Sequence, residues 1–172
     1  MTDAQRLDVH AATVGVFIPM LQQLDKMLGK AEDFATAKKL DAGVIEGLRL
    51  APDMFTLTRQ VQLACDFAKN GAYRLAGIDP PKVADEEKTL ADLRGRVART
   101  LALLGEVGPD KLAGSERRHI TVPLRTRTLE IDGLPYIQRW TLPNFFFHLT
   151  TVYALLRQAG VELGKQDFLG GV

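Results

Sequence analysis

The sequence predicts a mainly α-helical protein, a four-helix bundle with a small β-hairpin excursion between helices 3 and 4. Four long segments repeat apolar residues at steps of three and four, which places these side chains on one face of a helix. A segment before the last of them alternates apolar and polar residues, as strands do. Four amphipathic helices shield their apolar stripes by packing against one another, so we expect a bundle.

The first helix is expected over 2–30, with Thr2 or Asp3 as its N-cap and Gly29 at its end. Pro19 lies inside this segment and lacks a backbone N–H, so we expect a kink or a break there.

The other helices are expected over 31–40 (short), 53–75, 85–107 and 141–159. Pro52 and Asp53 are typical of a first helical turn, where proline loses no hydrogen bond and a carboxylate meets the positive end of the helix. Pro143 marks the start of the last helix in the same way, and acidic residues 85–87 mark that of the third.

The alternating segment spans 118–140 and predicts the hairpin. Every second position is apolar, at Ile120, Val122, Leu124, Leu129 and Ile131. Asp132-Gly133 is a turn signal, and Pro123 indicates an edge strand. Residues 164–172 are expected to form a glycine-containing tail.

Charge argues against a nucleic-acid partner. The 172 residues include 22 basic and 21 acidic side chains, a net charge of +1, whereas proteins that neutralise many phosphates are strongly basic. The one basic run lacks interleaved aromatic residues and is typical of a solvated hairpin surface. It consists of Arg117, Arg118, His119, Arg125 and Arg127.

A single cytoplasmic domain over 1–172 is the expectation. No uncharged apolar run approaches the roughly 20 residues that span a bilayer, and the N-terminus lacks the pattern of a signal peptide. The lone Cys65 cannot form an intrachain disulfide, and its mid-helix position predicts a buried, inert thiol.

Few residues are candidates for chemistry. Of the three histidines, His10 and His148 border apolar helical faces, where a histidine is more often a core residue than a ligand. A shared site would require the two to meet across the bundle. The run Phe145–Phe147 cannot face one core, so at least one ring is expected to meet a partner, the hairpin or a ligand.

Three motifs carry a resemblance. They are Leu50-Ala-Pro-Asp-Met54 with Arg59-Gln-Val-Gln62, Leu142-Pro-Asn-Phe-Phe-Phe-His148, and Gly160-Val-Glu-Leu-Gly-Lys-Gln-Asp-Phe-Leu-Gly170. Together they resemble an uncharacterised bacterial family of unknown function within the DinB/YfiT-like superfamily, whose members are taken to be metalloenzymes. The resemblance implies a DinB-like bundle with a long connection before its last helix, commonly as a homodimer.

The superfamily pattern also implies a divalent metal, zinc or nickel, held by one histidine on helix 2 and an H-x-x-x-H pair on helix 4. Here His148 matches the second histidine of the pair, and Asn144 stands at the first. On helix 2, Gln60 or Gln62 stands near the expected histidine. The resemblance therefore implies a largely degenerate metal site with His148 as its remaining ligand.

Three hypotheses remain open. The first is a dimeric bundle that binds a small molecule in a polar pocket formed by Asp53, Gln60, Asn144 and His148. The second is a divalent-metal-dependent, thiol-transferase-type enzyme with an altered ligand set. The third is a structural dimer whose exposed phenylalanine surface is the interface. The sequence leaves open whether the protein is an enzyme.

Overall fold

The structure, a computed structural model, describes residues 8–171. Its helices and strands are α1 (Val9–Ala12), α2 (Val14–Lys38), α3 (Leu57–Ala76), α4 (Leu90–Gly105), α5 (Pro109–Leu112), β1 (His119–Pro123), β2 (Thr128–Asp132), α6 (Gly133–Tyr136), α7 (Leu142–Ala159) and α8 (Lys165–Leu169). A π-helical turn, Ile137–Thr141, joins α6 to α7. The mainly helical class with a small hairpin ahead of the last long helix is confirmed.

Helix α3 is central to the packing. It contacts α4 on one side and α7 on the other, while α2 packs against α4 and α8 lies on α2. The apolar stripes meet in one buried cluster whose largest members are Phe17, Leu21, Leu24, Met27, Leu28, Leu57, Leu75, Leu93, Leu104, Tyr136 and Phe145. None of the described helices is long and apolar enough to cross a bilayer.

Helices α3 and α7 run antiparallel and approach closely at Gly71. The buried Thr141 hydroxyl donates a hydrogen bond of 2.9 Å to the carbonyl oxygen of Phe67. A Cβ at Gly71 would lie 2.4 Å from Thr141 Oγ1, so a larger residue can take this position only if the Thr141 side chain or one of the helices moves. This contact fixes the register of the pair.

The predicted end of the first helix at Gly29 and the separate helix over 31–40 are wrong, because α2 continues to Lys38. Arg94 of α4 lies over Gly29 and donates hydrogen bonds to Asp25 and Glu32, on either side of it. These contacts support the helix across the glycine.

Pro19 does not break α2. The break falls six residues earlier, at the buried Thr13, whose hydroxyl donates to the carbonyl oxygen of Val9. The predicted caps Thr2 and Asp3 lie outside the described residues.

The predicted starts of helices 2 and 3 are also wrong. Helix α3 begins at Leu57 rather than Asp53, because the Thr56 hydroxyl accepts from the Arg59 backbone N–H and caps the helix there. Helix α4 begins at Leu90, after a capping box between Thr89 and Asp92. Acidic residues 85–87 lie in the connector before it, where Asp85 and Glu87 form ion pairs instead.

The hairpin is confirmed, but its turn is not at Asp132-Gly133. Its register pairs Ile120 with Ile131, and the chain reverses over 124–127, where the Leu124 N–H donates to the Arg127 carbonyl oxygen. Asp132 ends β2, and a continuous helical stretch from Gly133 leads into α7. The expected tail contains the short helix α8.

We expect Gly71→Ala to lower the free energy of unfolding by about 1–3 kcal/mol, because the added methyl group overpacks the α3–α7 contact. Gly105→Ala is the matched control. Gly105 is exposed at the end of α4, and a Cβ added there would meet no atom within 4 Å, so alanine is expected to be neutral or stabilising by up to about 1 kcal/mol. Urea denaturation measures both, and equal effects of the two substitutions would contradict the close contact.

Candidate functional site

A buried hydrogen bond joins α3 to α7 at the centre of the candidate site. Gln60 Oε1 lies 2.7 Å from His148 Nδ1, and the two residues are 1% and 7% exposed. Both occur two turns from the Phe67–Thr141 contact, on helices that run in opposite directions. The helix register therefore brings together two polar side chains 88 residues apart in sequence.

The Gln60 amide fixes the tautomer of His148. Gln60 Nε2 donates to the backbone carbonyl of Phe55, which can only accept a hydrogen bond. This orientation directs Oε1 towards His148, so Nδ1 carries the proton and donates it. In the neutral ring, Nε2 then holds the lone pair and is free to accept a hydrogen bond or bind an electrophile.

Aromatic rings enclose the imidazole of His148. Phe67 stacks on it with ring centroids 5.5 Å apart and an interplanar angle of 17°, and Phe147 meets it edge-on at 5.2 Å. Trp140 meets the ring of Phe67 edge-on. Phe147 is 56% exposed, so one wall of this environment faces the surface.

Burial, with a smaller effect of the positive charge of Arg59, lowers the pKa of His148 from 6.5 to about 4. The ring is therefore neutral at pH 7 and acts as a hydrogen-bond acceptor through Nε2 rather than as a cation.

We call the surface strip formed by Arg59, Leu63, Phe67, Phe147 and His148 the His148 seam.

The other two predicted site residues do not join this pair. Asp53 lies in an exposed turn ahead of α3. Asn144 donates through its Nδ2 to the carbonyl oxygen of Trp140, a backbone group at the π-helical turn. The amide of Asn144 thus stabilises the entry to α7.

The donor set does not fit the three-histidine metal site of the superfamily. Zinc needs at least three good protein ligands, and His148 offers a single nitrogen. Within residues 8–171, no group of three His, Cys, Asp or Glu side chains is placed to hold a metal ion. Asn144, at the position of one expected histidine, and Gln60, one of two glutamines near another, use their amides in hydrogen bonds to the protein.

The remaining candidates lie elsewhere. His10 lines a separate cavity of about 360 Å³ beside α5. His119 is on the exposed hairpin between Glu130 and Asp132. Gln62 donates to Glu87 on the side of α3 that faces α4. Cys65 is buried, as expected, and burial raises the pKa of its thiol to about 12.

Sequence reasoning missed Arg59 and Phe67 as parts of the site. With Leu63 they stand at steps of four along α3, next to the face that carries Gln60. This spacing was visible in the sequence, but only the position of α7 indicates which residues on that face meet a histidine.

We expect the protein to lose stability in acid through His148. Its pKa is lower in the folded state, so between pH 6.5 and about 4 the unfolded chain binds more protons. The contribution of neutral His148 to the free energy of unfolding is fully present above pH 6.5. Up to about 3 kcal/mol of it is lost as the pH falls from 6.5 to about 4. Urea denaturation at pH 7 and pH 4.5 measures the loss, which the double variant Gln60→Leu, His148→Phe should reduce.

His119 is the matched control, because folding shifts its pKa in the opposite direction. Hydrogen bonds to Asp132 and then Glu130 raise its pKa, so its stabilisation is present below pH 6.5 and fades as the pH rises through the folded-state pKa. His119→Gln should therefore leave the acid loss in place. An unchanged acid loss in the double variant would contradict a neutral, buried His148.

Comparison with known proteins agrees with this fold. Residues 9–169 match a family described as a domain of unknown function, DUF1993. A crystal structure of a DinB family member protein from Shewanella denitrificans is similar, with a TM-score of 0.88 and 41% sequence identity over 95% of this chain and 93% of that one. No curated protein matches the sequence. The family match spans nearly the whole described chain, and the protein therefore belongs to DUF1993, a DinB-like family of unknown function.

Proposed function

We propose that the His148 seam binds a small, flat molecule that donates a hydrogen bond to His148 Nε2. The observation that carries this proposal is the chain of hydrogen bonds from the Phe55 carbonyl through Gln60 to His148 Nδ1. It holds one neutral nitrogen in a fixed orientation among apolar rings. Few polar groups set among aromatic walls are typical of small-molecule sites.

The second nitrogen of the ring is open to solvent. Among residues 8–171, only Nδ1 of His148 has a hydrogen-bond partner, and Nε2 is not fully buried. His148 is also 7% exposed, beside the 56% exposed Phe147, which leaves a route from solvent to the ring. Both features support a role in binding.

The second candidate, a metal-dependent thiol transferase, has weaker support. The resemblance to the DinB/YfiT-like superfamily favours it, whereas the amides of Gln60 and Asn144 are poor substitutes for histidine ligands. Elemental analysis of purified protein distinguishes the two. Stoichiometric zinc or nickel that is lost in His148→Ala would support the transferase and count against a simple binding site.

We expect phenol to bind at the seam and toluene to bind more weakly, because only phenol donates to Nε2. The protein's one tryptophan, Trp140, gives a single indole N–H signal for NMR titration, and it lies against Phe67. His148→Phe should abolish the preference for phenol by keeping the ring and removing the acceptor. Equal shifts with phenol and toluene in the unmodified protein would overturn the proposal.

We also propose a homodimer in which the outward face of α7 is the interface, which places the Phe147 edge of the His148 seam at the subunit contact. Residues 140–156 contain no Asp, Glu, Lys or Arg, and Phe147 is exposed on this helix. A twofold contact brings each residue near its own counterpart, so an uncharged face avoids repulsion between like charges. Exposed aromatic residues and few charges are typical of interface centres.

Phe147→Glu is expected to shift the protein from dimer to monomer in size-exclusion chromatography with light scattering, because it places two carboxylates at the contact. Phe146 is a poorer choice, since its ring packs on the core and on Phe145. Val44→Glu is the control, because Val44 is also exposed, at 46%, but lies in the turn after α2. A monomer before and after the change at Phe147 would contradict this interface.

A further inference from the structure

Arg59, at one end of the His148 seam, belongs to an ion-pair cluster between α3, α4 and the connector that precedes α4. The cluster contains four cations and three carboxylates: Arg59, Lys69, Arg96, Arg99, Asp66, Asp85 and Glu87. Its net charge is therefore +1. The side chain of Arg96 is 1% exposed and lies at the centre, where it pairs with all three carboxylates.

Arg59 brings one of these positive charges to the surface beside the seam. The side chain is 36% exposed, and its Nη1 atom donates to Asp85 and Gln62. Asp85 is shared, because its other oxygen forms an ion pair with Arg96 Nη1 at 2.9 Å. The Nε and Nη2 groups of Arg59 have no hydrogen-bond partner among residues 8–171, so they remain available to an anion.

Arg59 lies beside the site rather than within the core. It immediately precedes Gln60, the hydrogen-bond partner of His148, and stands about two helical turns before Phe67, which stacks on the imidazole. The positive charge of Arg59 also contributes to the lowered pKa of His148. A cation and a neutral acceptor thus lie along one strip, with Phe67 and Phe147 as its apolar members. A ligand that satisfies both polar groups needs a negative charge and a separate hydrogen-bond donor on a flat apolar frame.

We infer that the ligand of the His148 seam is a small aromatic or otherwise planar acid, whose carboxylate pairs with Arg59 and whose hydroxyl or N–H group donates to His148 Nε2. This inference rests on the proposed binding site and adds its chemical class. A guanidinium with two free donors is suited to a carboxylate, and a neutral imidazole nitrogen requires a donor.

Three probes separate the two parts of the ligand: phenol supplies the donor, benzoate the anion, and 3-hydroxybenzoate both. We expect 3-hydroxybenzoate to bind roughly two- to fivefold more tightly than phenol, the range for a partly exposed charge pair. The Trp140 indole signal reports each titration. Arg59→Gln should abolish this advantage, whereas His148→Phe should abolish the advantage of 3-hydroxybenzoate over benzoate.

Arg157→Gln is the charge-matched control, because Arg157 is exposed near the far end of α7 and should not affect any probe. Asp85→Asn tests the opposite direction. It releases Arg59 Nη1 and raises the cluster charge by one, so 3-hydroxybenzoate should bind more tightly, and Arg96 keeps Asp66 and Glu87 as partners.

The outcomes distinguish the two proposals. Equal affinities for phenol and 3-hydroxybenzoate would overturn the acid as ligand without contradicting the binding site. The same holds if the tighter binding of 3-hydroxybenzoate persists in Arg59→Gln and is unchanged in Asp85→Asn. No shift of the Trp140 signal with any probe would overturn both.

Discussion

The close antiparallel contact between α3 and α7 is the constraint on which the candidate site depends. Gly71 allows the two helices to approach, and the Thr141 hydroxyl fixes their register on the Phe67 carbonyl. Because helices are stiff, the register set there persists two turns away, where Gln60 meets His148 at 2.7 Å. A one-residue slip would rotate the histidine away from its partner.

The other side of α3 is stabilised by charge rather than by a tight apolar contact. Arg96 on α4 is buried and donates to the Ala84 carbonyl oxygen as well as to the surrounding carboxylates, which fastens the connector against α3 and α4. Its Nε atom is buried without a hydrogen-bond partner among the described residues. A buried guanidinium is tolerated only where several acceptors surround it, so this cluster orders a segment that has no secondary structure of its own.

The family resemblance and the structure differ in what they imply about chemistry. Where the resemblance implies metal ligands, the chain has amide side chains and one histidine. The Gln60 amide orients His148, and the Asn144 amide stabilises the π-helical turn before α7. The polar centre of the fold is a hydrogen-bonding site here, and the Gln60 amide holds the imidazole in place.

The sequence by itself determined the helical class, the position of the hairpin and the burial of Cys65, because periodicity records which side of each segment avoids water. It also identified Gln60 and His148 as candidates. It misplaced helix ends at Gly29 and Asp53, where distant contacts and a threonine cap outweigh local preference. Only the tertiary structure decided that Gln60 faces His148 while Asn144 does not, and that Arg59 lies beside them. Such pairings depend on the register between helices, and a pattern within one helix contains no information about its neighbour's register.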